Sequence, residues 1–361
     1  MMYQTKKVCL FTVSLANGGA EKSTAVLSKI LVQKGYIVHI VSLTDDIKYT
    51  YSGKLLNFGL IKGNTLRSKA RAFIKLRKYL KENNFDYIID NRAHQLSFRE
   101  LFYMYYLYRG IDFFYVIRSN DLSIYFPPIK MVSRLMINKA ARIISVSKGI
   151  EMQIRTKFKT NNVQTIYNPI EETVPEQIPA TENNGYILFL GRLEDDVKNI
   201  SLLLSAYNAS CIRNEVRVKI FGEGKDKAML QYKIEENGIA DFVKIYPFTN
   251  DIATQIVNAR FLVLCSHFEG FPRALIESLA LGVPVVSVNC RGTEEIVENE
   301  VNGLLVENYN HVALARAMER MYYDEELYAR CQKNSKQSVS HLHGDKIVHQ
   351  WTALLQSIKQ K

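Results

Sequence analysis

No stretch of this 361-residue chain approaches the run of roughly 18 to 20 apolar residues that a membrane-spanning helix needs, so any membrane contact is expected to be peripheral. Cysteine is scarce and scattered. The five residues at 9, 211, 265, 290 and 331 are odd in number and contain no Cys-x-x-Cys pair, which argues against a disulfide framework and a zinc site and fits the cytoplasm. Two nucleotide fingerprints are missing as well. There is no G-x-G-x-x-G, which removes the mark of a dinucleotide-dependent dehydrogenase, and no Gly-Lys-Ser/Thr P-loop. Neither zinc-finger spacing nor an RNA-binding aromatic signature accompanies the positive charge, so nucleic acid is not an expected partner. Lys6-Lys7 ahead of the apolar run 8–16 imitates a secretory leader, but the run leads straight into Gly18-Gly19, as a first buried strand does.

What is present is an ordinary globular composition, 47% hydrophobic and 23% charged, in a chain long enough for two domains. Strand-like segments at 8–14, 37–43, 86–90, 113–117 and 142–146 alternate with helical patterns such as 20–34 and 66–83, which predicts a parallel sheet wound with helices. Pro169, Pro175 and Pro179 then punctuate a polar, acidic stretch. Strand-like runs resume at 186–190, 216–221, 242–245, 261–265, 284–288 and 304–306. The division that follows is a domain over 1–170, a linker over 171–185, a second domain over 186–338 and a terminal helix over 339–361 that returns to the first domain.

The formal charge of +11 is uneven, with 27 Lys and Arg against 14 Asp and Glu in residues 1–185 and 20 against 22 beyond. A basic half points to nucleic acid, an anionic membrane surface or an acidic substrate. The densest run, Arg67 through Lys81, interleaves cations with Leu66, Ala70, Phe73, Ile74 and Leu80 at helical spacing. It reads as a surface helix whose apolar stripe faces the core, and alternatively as a helix lying near anionic head groups. The aromatics of 101–108 read as buried helix packing, and alternatively as an interfacial patch.

The most informative stretch is 269–284, Glu-Gly-Phe-Pro-Arg-Ala-Leu-Ile-Glu-Ser-Leu-Ala-Leu-Gly-Val-Pro. It places Glu269 and Glu277 with seven residues between them, across a loop running into a helix, directly after the apolar strand 261–265. Pro272 suits the first helical position. The amides of that helix start suit a phosphate, and Glu277 can accept hydrogen bonds from hydroxyls. A sugar joined to a nucleotide by a diphosphate offers both. The plain alternative is a capped helix with a solvated glutamate.

These residues resemble the E-x7-E signature of retaining nucleotide-sugar glycosyltransferases of family 4. The resemblance runs along most of the chain, through Asn17-Gly18-Gly19-Ala20-Glu21, Gly191-Arg192-Leu193 with Lys198-Asn199, Gly222-Glu223-Gly224, Gly292-Thr293-Glu294-Glu295 and Asn302-Gly303. It implies an α/β protein of GT-B fold, two Rossmann-like doubly wound parallel-sheet domains facing across a cleft. It also implies metal-independent transfer of a hexosyl or N-acetylhexosaminyl group with retention. Arg192 and Lys198 would stabilise the departing diphosphate, as their chemistry also suggests. Glu269 would hold donor hydroxyls and Glu277 the ribose, while Gly18, Gly19, Gly191, Gly222, Gly270, Phe271 and Arg273 would lie along the donor. No cofactor or metal is implied. Many members carry a histidine in a late loop of the first domain, where this chain has Arg118-Ser119-Asn120. If that loop aligns, Arg118 or Asn120 would contact the donor or, as the acceptor-binding candidates, the acceptor; His94, after Asp90-Asn91-Arg92 at a strand end, is a third candidate for acceptor contact, with a solvated or core histidine as the plain alternative. The expected substrates are a UDP-sugar and a glycan or lipid-linked glycan of surface polysaccharide or lipopolysaccharide synthesis, at the inner membrane face. Rival readings are an epimerase or glycogen-type synthase of the same fold, or an idle partner that binds a glycan or membrane.

Overall fold

The structure, a computed structural model, describes residues 6–170 except 17, 64 and 95, and residues 185–358 except 250. The chain divides into two compact units, Met1–Glu171 with Leu342–Lys361, and Glu172–His341. Most of the expected linker, 171–184, lies outside the described residues.

The first unit runs β1 (Lys7–Thr12), α1 (Gly19–Gln33), β2 (Ile37–Ser42), β3 (Lys54–Asn57), α2 (Phe58–Ile61), α3 (Leu66–Glu82), β4 (Tyr87–Asp90), α4 (Ser97–Phe102), β5 (Asp112–Ile117), α5 (Lys130–Lys139), β6 (Arg142–Ser145), α6 (Lys148–Phe158) and β7 (Val163–Thr165). All pairings are parallel, in the order β3-β2-β1-β4-β5-β6-β7. The five expected strands are the five central ones. They are legible because both faces are covered, so that residues such as Val8, Leu10 and Phe11 have no exposed surface and the run reads as continuously apolar. The edge strands β3 and β7 were not expected: at 4 and 3 residues, with partly exposed side chains, they carry no such run.

Two helical expectations need correcting. In α3 the core takes Ala72, Leu76 and Leu80, while Leu66 and Ile74 are 87% and 59% exposed. The buried row is flanked by Phe73, whose ring packs on Phe58 and Phe102 at 5.2 and 5.3 Å, and so offers the larger apolar volume. The aromatic run after α4 is split by a single wide turn, Tyr103–Leu107: Tyr103, Leu107 and Tyr108 are buried, whereas Tyr105 is 51% exposed.

The second unit runs β8 (Ile187–Leu190), α7 (Asp195–Lys198), α8 (Ile200–Ala209), β9 (Val218–Phe221), α9 (Lys227–Glu236), β10 (Val243–Tyr246), α10 (Ile252–Val257), β11 (Phe261–Leu264), α11 (Arg273–Ala280), β12 (Val285–Asn289), β13 (Gly303–Glu307), α12 (His311–Tyr323) and α13 (Glu325–Ser338). Its six parallel strands stand in the order β10-β9-β8-β11-β12-β13. In both sheets the order reverses once, between β1 and β4 and between β8 and β11. Loops leave the strands in opposite directions there, and ligands of such sheets bind outside the carboxyl ends at that point.

The last helix, Gly344–Ile358, belongs to the first unit. It starts later than the expected 339, because a tight turn at Ser340–Leu342 intervenes and Ile170 donates to the Leu342 carbonyl at 3.0 Å. Ile347, Trp351 and Leu355 are buried, the Trp351 ring meets Phe114 edge-on at 6.3 Å, and Tyr87 Oη donates to the Leu355 carbonyl. Among the described residues no helix is long and apolar enough to cross a membrane. Trp351→Ala should therefore destabilise the first unit by about 3–5 kcal/mol in urea unfolding followed by circular dichroism. A loss below about 1 kcal/mol would remove the helix from that core.

Candidate active site

The strongest grouping lies at the β8/β11 switch point of the second unit. After β8 the chain turns through Gly191, Arg192 and the fully buried Leu193, and enters the single turn α7. Asp195 anchors that turn by accepting from Ser201 N at 2.8 Å, while its own amide donates to Asp226 Oδ2 at 2.8 Å. Lys198 closes it, and Asn199 follows in the left-handed region at φ 49°. After β11, the His267 amide donates to the Val197 carbonyl at 3.0 Å, which lays the two loops side by side. Lys198 Nζ then sits 2.6 Å from Glu269 Oε1, which also accepts from Ser266 Oγ at 2.7 Å. Their side chains are only 16% and 13% exposed, so each charge stands in for the water the other has lost.

Arg192, more open at 54%, pairs with Glu194 at 2.9 Å. On α11, Arg273 reaches Glu277 Oε1 with Nη2 at 2.8 Å and Nε at 3.2 Å. Pro272 is the cap rather than the first helical residue: its ψ of 106° is extended, and its carbonyl accepts from Ile276 N at 3.4 Å. Phe271 is 5% exposed, and Gly270 beside it is buried.

Several glycines here serve backbone packing. A Cβ at Gly222 would lie 1.9 Å from the Gly191 carbonyl oxygen, and one at Gly224 would lie 2.3 Å from that of Leu193. Glycine in the 222–224 turn therefore lets it rest on the loop after β8, a role independent of the donor contact expected of Gly222. Gly292, at φ +94°, has the same function beside the Glu269 carbonyl, 2.8 Å from a Cβ built there. The thiols nearest the site are not available as nucleophiles. Burial, with the Glu269 carboxylate adding to it, pushes Cys290 up to about 12, and burial also holds Cys265 well above its ordinary value.

In the first unit, Gly18 caps α1 and Gly19 is its first residue, both after β1. At the adjoining end of β4 lies a group that sequence reasoning missed. Asp90 accepts from Arg92 Nε at 2.9 Å, Arg92 Nη2 at 2.6 Å and Tyr108 Oη at 2.8 Å. Arg92 stacks on Tyr103 at 3.6 Å and reaches Glu100 at 3.2 Å. Burial alone would raise the Asp90 pKa, but the cationic Arg92 and neighbouring His94 outweigh it and hold the carboxyl well below the usual range.

His94 is a correction. It has no exposed surface: its ring packs on Tyr115 at 4.4 Å and on Tyr125 at 5.9 Å, so it does not open to an acceptor. Its Nε2 is 3.3 Å from Asp90, too poorly aligned for a hydrogen bond, and Nδ1 has no partner. Asp90, His94 and Glu100 are close enough together to hold a metal ion, yet the Arg92 guanidinium already bridges the two carboxylates. Arg118 donates to Asn91 Oδ1 at 2.8 Å and to Asn168 Oδ1, and Asn120 accepts from Gln153 at 3.0 Å.

Two wound parallel sheets, with a charged pair at one switch point, define the fold of a GT-B glycosyltransferase. S. aureus TarM, in a structure with fondaparinux, alpha-GlcNAc-glycerol and UDP, superposes with a TM-score of 0.79 at 15% identity, over 97% of this chain and 100% of that one. Anabaena HepE with UDP-glucose gives 0.79 at 19% identity, over 97% and 99%. Residues 17–174 match the family model described as Glycosyltransferase Family 4, and residues 170–338 that of Glycosyl transferases group 1. The chain belongs to these glycosyltransferases. It is 27% identical, over 89% of its length and 92% of the relative's, to the Campylobacter jejuni N-acetylgalactosamine-N,N'-diacetylbacillosaminyl-diphospho-undecaprenol 4-alpha-N-acetylgalactosaminyltransferase. It is 24% identical, over 97% and 100%, to an uncharacterized glycosyltransferase of Haemophilus influenzae.

The Asp90 group yields a stability prediction. A carboxyl with a lowered pKa contributes stability that is full above its unfolded pKa and is lost as pH falls through the folded one. Asp90→Asn should cost about 3–5 kcal/mol at neutral pH in urea unfolding and flatten the acid limb of the stability curve. An unchanged acid limb would mean that other carboxylates set it.

Proposed function

We propose that the protein is a retaining, metal-independent hexosyl- or N-acetylhexosaminyltransferase that takes sugar from a UDP-sugar and gives it to a glycan or lipid-linked glycan acceptor. The product would enter surface polysaccharide or lipopolysaccharide, with the enzyme working at the inner membrane face. The observation that carries this reading is the 2.6 Å contact between Lys198 and Glu269 at the β8/β11 switch point, with Arg192 in the adjoining loop. UDP in the two neighbouring structures and undecaprenol diphosphate in the Campylobacter relative's name support the choice of substrates.

As the bond from the anomeric carbon to the diphosphate oxygen breaks, negative charge grows on the leaving group. The Arg192 fork and the Lys198 ammonium are the cations that meet it. The acceptor oxygen bonds the same carbon from the same face. Its proton passes to the departing phosphate oxygen, so no side-chain base is required and a nucleoside diphosphate leaves. Glu269, held by Lys198 and Ser266, takes donor hydroxyls, and Glu277, steadied by Arg273, takes the ribose. In this reading Gly191, Gly222, Gly270 and Phe271 of the second unit would contact the donor, and Arg118 and Asn120 of the first unit would meet the acceptor.

The protein should be melted with UDP-, GDP-, ADP-, CMP- and dTDP-sugars in turn, with and without EDTA. A rise with the UDP-sugar alone, unchanged by EDTA, is the expected result. No rise with any of them would remove the donor assignment, and a rise abolished by EDTA would remove metal independence. Lys198→Ala should lower kcat/KM about 10²- to 10³-fold, measured well below the variant's melting temperature, which should itself fall because Glu269 loses its partner. Proton NMR of the product should show the donor's anomeric configuration, and inversion would reject the same-face step.

A further inference from the structure

We infer, resting on the donor site and the same-face transfer proposed above, that Tyr309 stacked on His267 is a platform for the far edge of the donor's sugar ring. It gives the second unit a preference for galacto-configured sugars.

The loops after β11 and β13 are tied together at His267. Its amide donates to the Val197 carbonyl at 3.0 Å on the β8 side, and its carbonyl accepts from Asn308 Nδ2 at 3.4 Å on the β13 side. Asn308 Oδ1 in turn accepts from the Tyr309 amide at 2.8 Å. The Tyr309 ring lies on the imidazole, with centroids 5.1 Å apart and planes 23° from parallel. His267 Nδ1 is buried and has no hydrogen-bond partner among the described residues, so the stack is what orients that ring.

Tyr309 stands out for its backbone. Its φ of 63° lies in the left-handed region, which glycine takes freely and a bulky side chain does not. A ring kept at such a position costs backbone strain, and strain of this kind collects at ligand clamps. The residue is also 67% exposed, so that one face of the ring rests on His267 and the other is open. Burial in the core therefore does not account for it. The open face of an aromatic ring carries electron density, and it attracts the electron-poor hydrogens of C-H groups.

Sheet order indicates which group reaches it. In the order β8-β11-β12-β13, Arg192 and Lys198 follow β8, Glu269 follows β11 and Tyr309 follows β13. The cations that meet the diphosphate and the ring platform thus flank the Glu269 loop on opposite sides. With transfer on one face, the acceptor oxygen enters beside the departing phosphate. What extends toward β13 is then the edge of the donor sugar opposite C1, the edge that carries C4. In a galacto-configured pyranose the axial hydroxyl at C4 leaves the C-H groups of C3, C4 and C5 together on one face, an apolar patch that fits a ring. In a gluco-configured pyranose those C-H groups are divided between the two faces.

The test is titration calorimetry of the full chain, without acceptor, against UDP and the UDP conjugates of galactose, N-acetylgalactosamine, glucose and N-acetylglucosamine. Each galacto donor should bind about fivefold more tightly than its gluco epimer, within the range an aromatic contact supplies. Tyr309→Gly suits this φ and should keep the fold, abolish the preference and leave the affinity for UDP unchanged. Tyr309→Phe should retain the preference. A preference that survives Tyr309→Gly would overturn the platform. So would an equal loss of UDP affinity in that variant, which would make the ring a packing residue only. If UDP binds the wild type but the epimers bind equally, the platform alone falls; if UDP itself fails to bind, the donor reading falls with it.

Discussion

The contact between Lys198 and Glu269 joins loops 71 residues apart in sequence, and the architecture around the β8/β11 switch point is organised to keep it. A parallel sheet that reverses its order opens a gap there, because successive helices leave to opposite faces. In the second unit three devices hold that gap in shape. Asp195 and Asp226 pin the single turn that ends in Lys198, the His267 amide ties one loop to the other, and Gly292 lets a third loop approach the Glu269 carbonyl. An isolated ammonium or carboxylate at 16% or 13% exposure would be costly, so each is retained because the other is present. The pair is close to neutral as a whole. Arg192, better exposed, is the cation beside it with room to change partners.

The first unit uses similar chemistry to a different end. At the end of β4, beside its own switch point, Asp90, Arg92 and Glu100 are also joined by charge-assisted bonds, but their exposure is 0 to 1%. Tyr103 covers the guanidinium and Tyr108 completes the carboxylate's set of donors. None of those three charged side chains can be reached from solvent, and their two carboxylates are matched by Arg92 and by Arg99, which donates to Glu100 at 2.8 Å. Burial, more than residue type, separates a charged cluster that can receive a ligand from one that fixes a loop. Asn91 lies between Asp90 and Arg92 in the chain, and its side-chain oxygen accepts from Arg118, so the buried network sets where Arg118 stands.

Legibility in the sequence followed burial closely. Nine of the eleven expected strands are inner strands, and the partly exposed edge strands of the second sheet, β10 and β13, were still visible, β10 through Val243 and Ile245, while β3 and β7 at the two edges of the first sheet were not. Lys198 and Glu269 were singled out separately, one by the lysine after the Gly191-Arg192-Leu193 turn and the other by the 269–284 block, but their contact was not, and its geometry depends on Ser266, Asp195 and Asp226, which no spacing singles out. His94 was misread because a histidine just past a strand end looks accessible, and only the packing of Tyr115 and Tyr125 closes it off. The Asp90 group was hidden for a related reason. Asp-Asn-Arg reads as a polar turn until Tyr103 and Tyr108, from the aromatic run, are brought over it by the wide turn after α4.

The outer side of α3 shows what a hydrophobic pattern alone leaves undecided. Two rows without cations run along it, one through Ala72, Leu76 and Leu80 and one through Leu66, Ala70 and Ile74, and a helix on a sheet can bury only one stripe fully. The core took the row beside Phe73. The other was left in water next to Arg67, Arg71 and Lys75. A helix serving the core alone would gain solubility from polar residues in that second row, and the Leu and Ile there bring the first unit no burial. The excess of Lys and Arg in the first half of the chain, absent from the second, likewise leaves that half with a net positive charge that its own carboxylates do not balance.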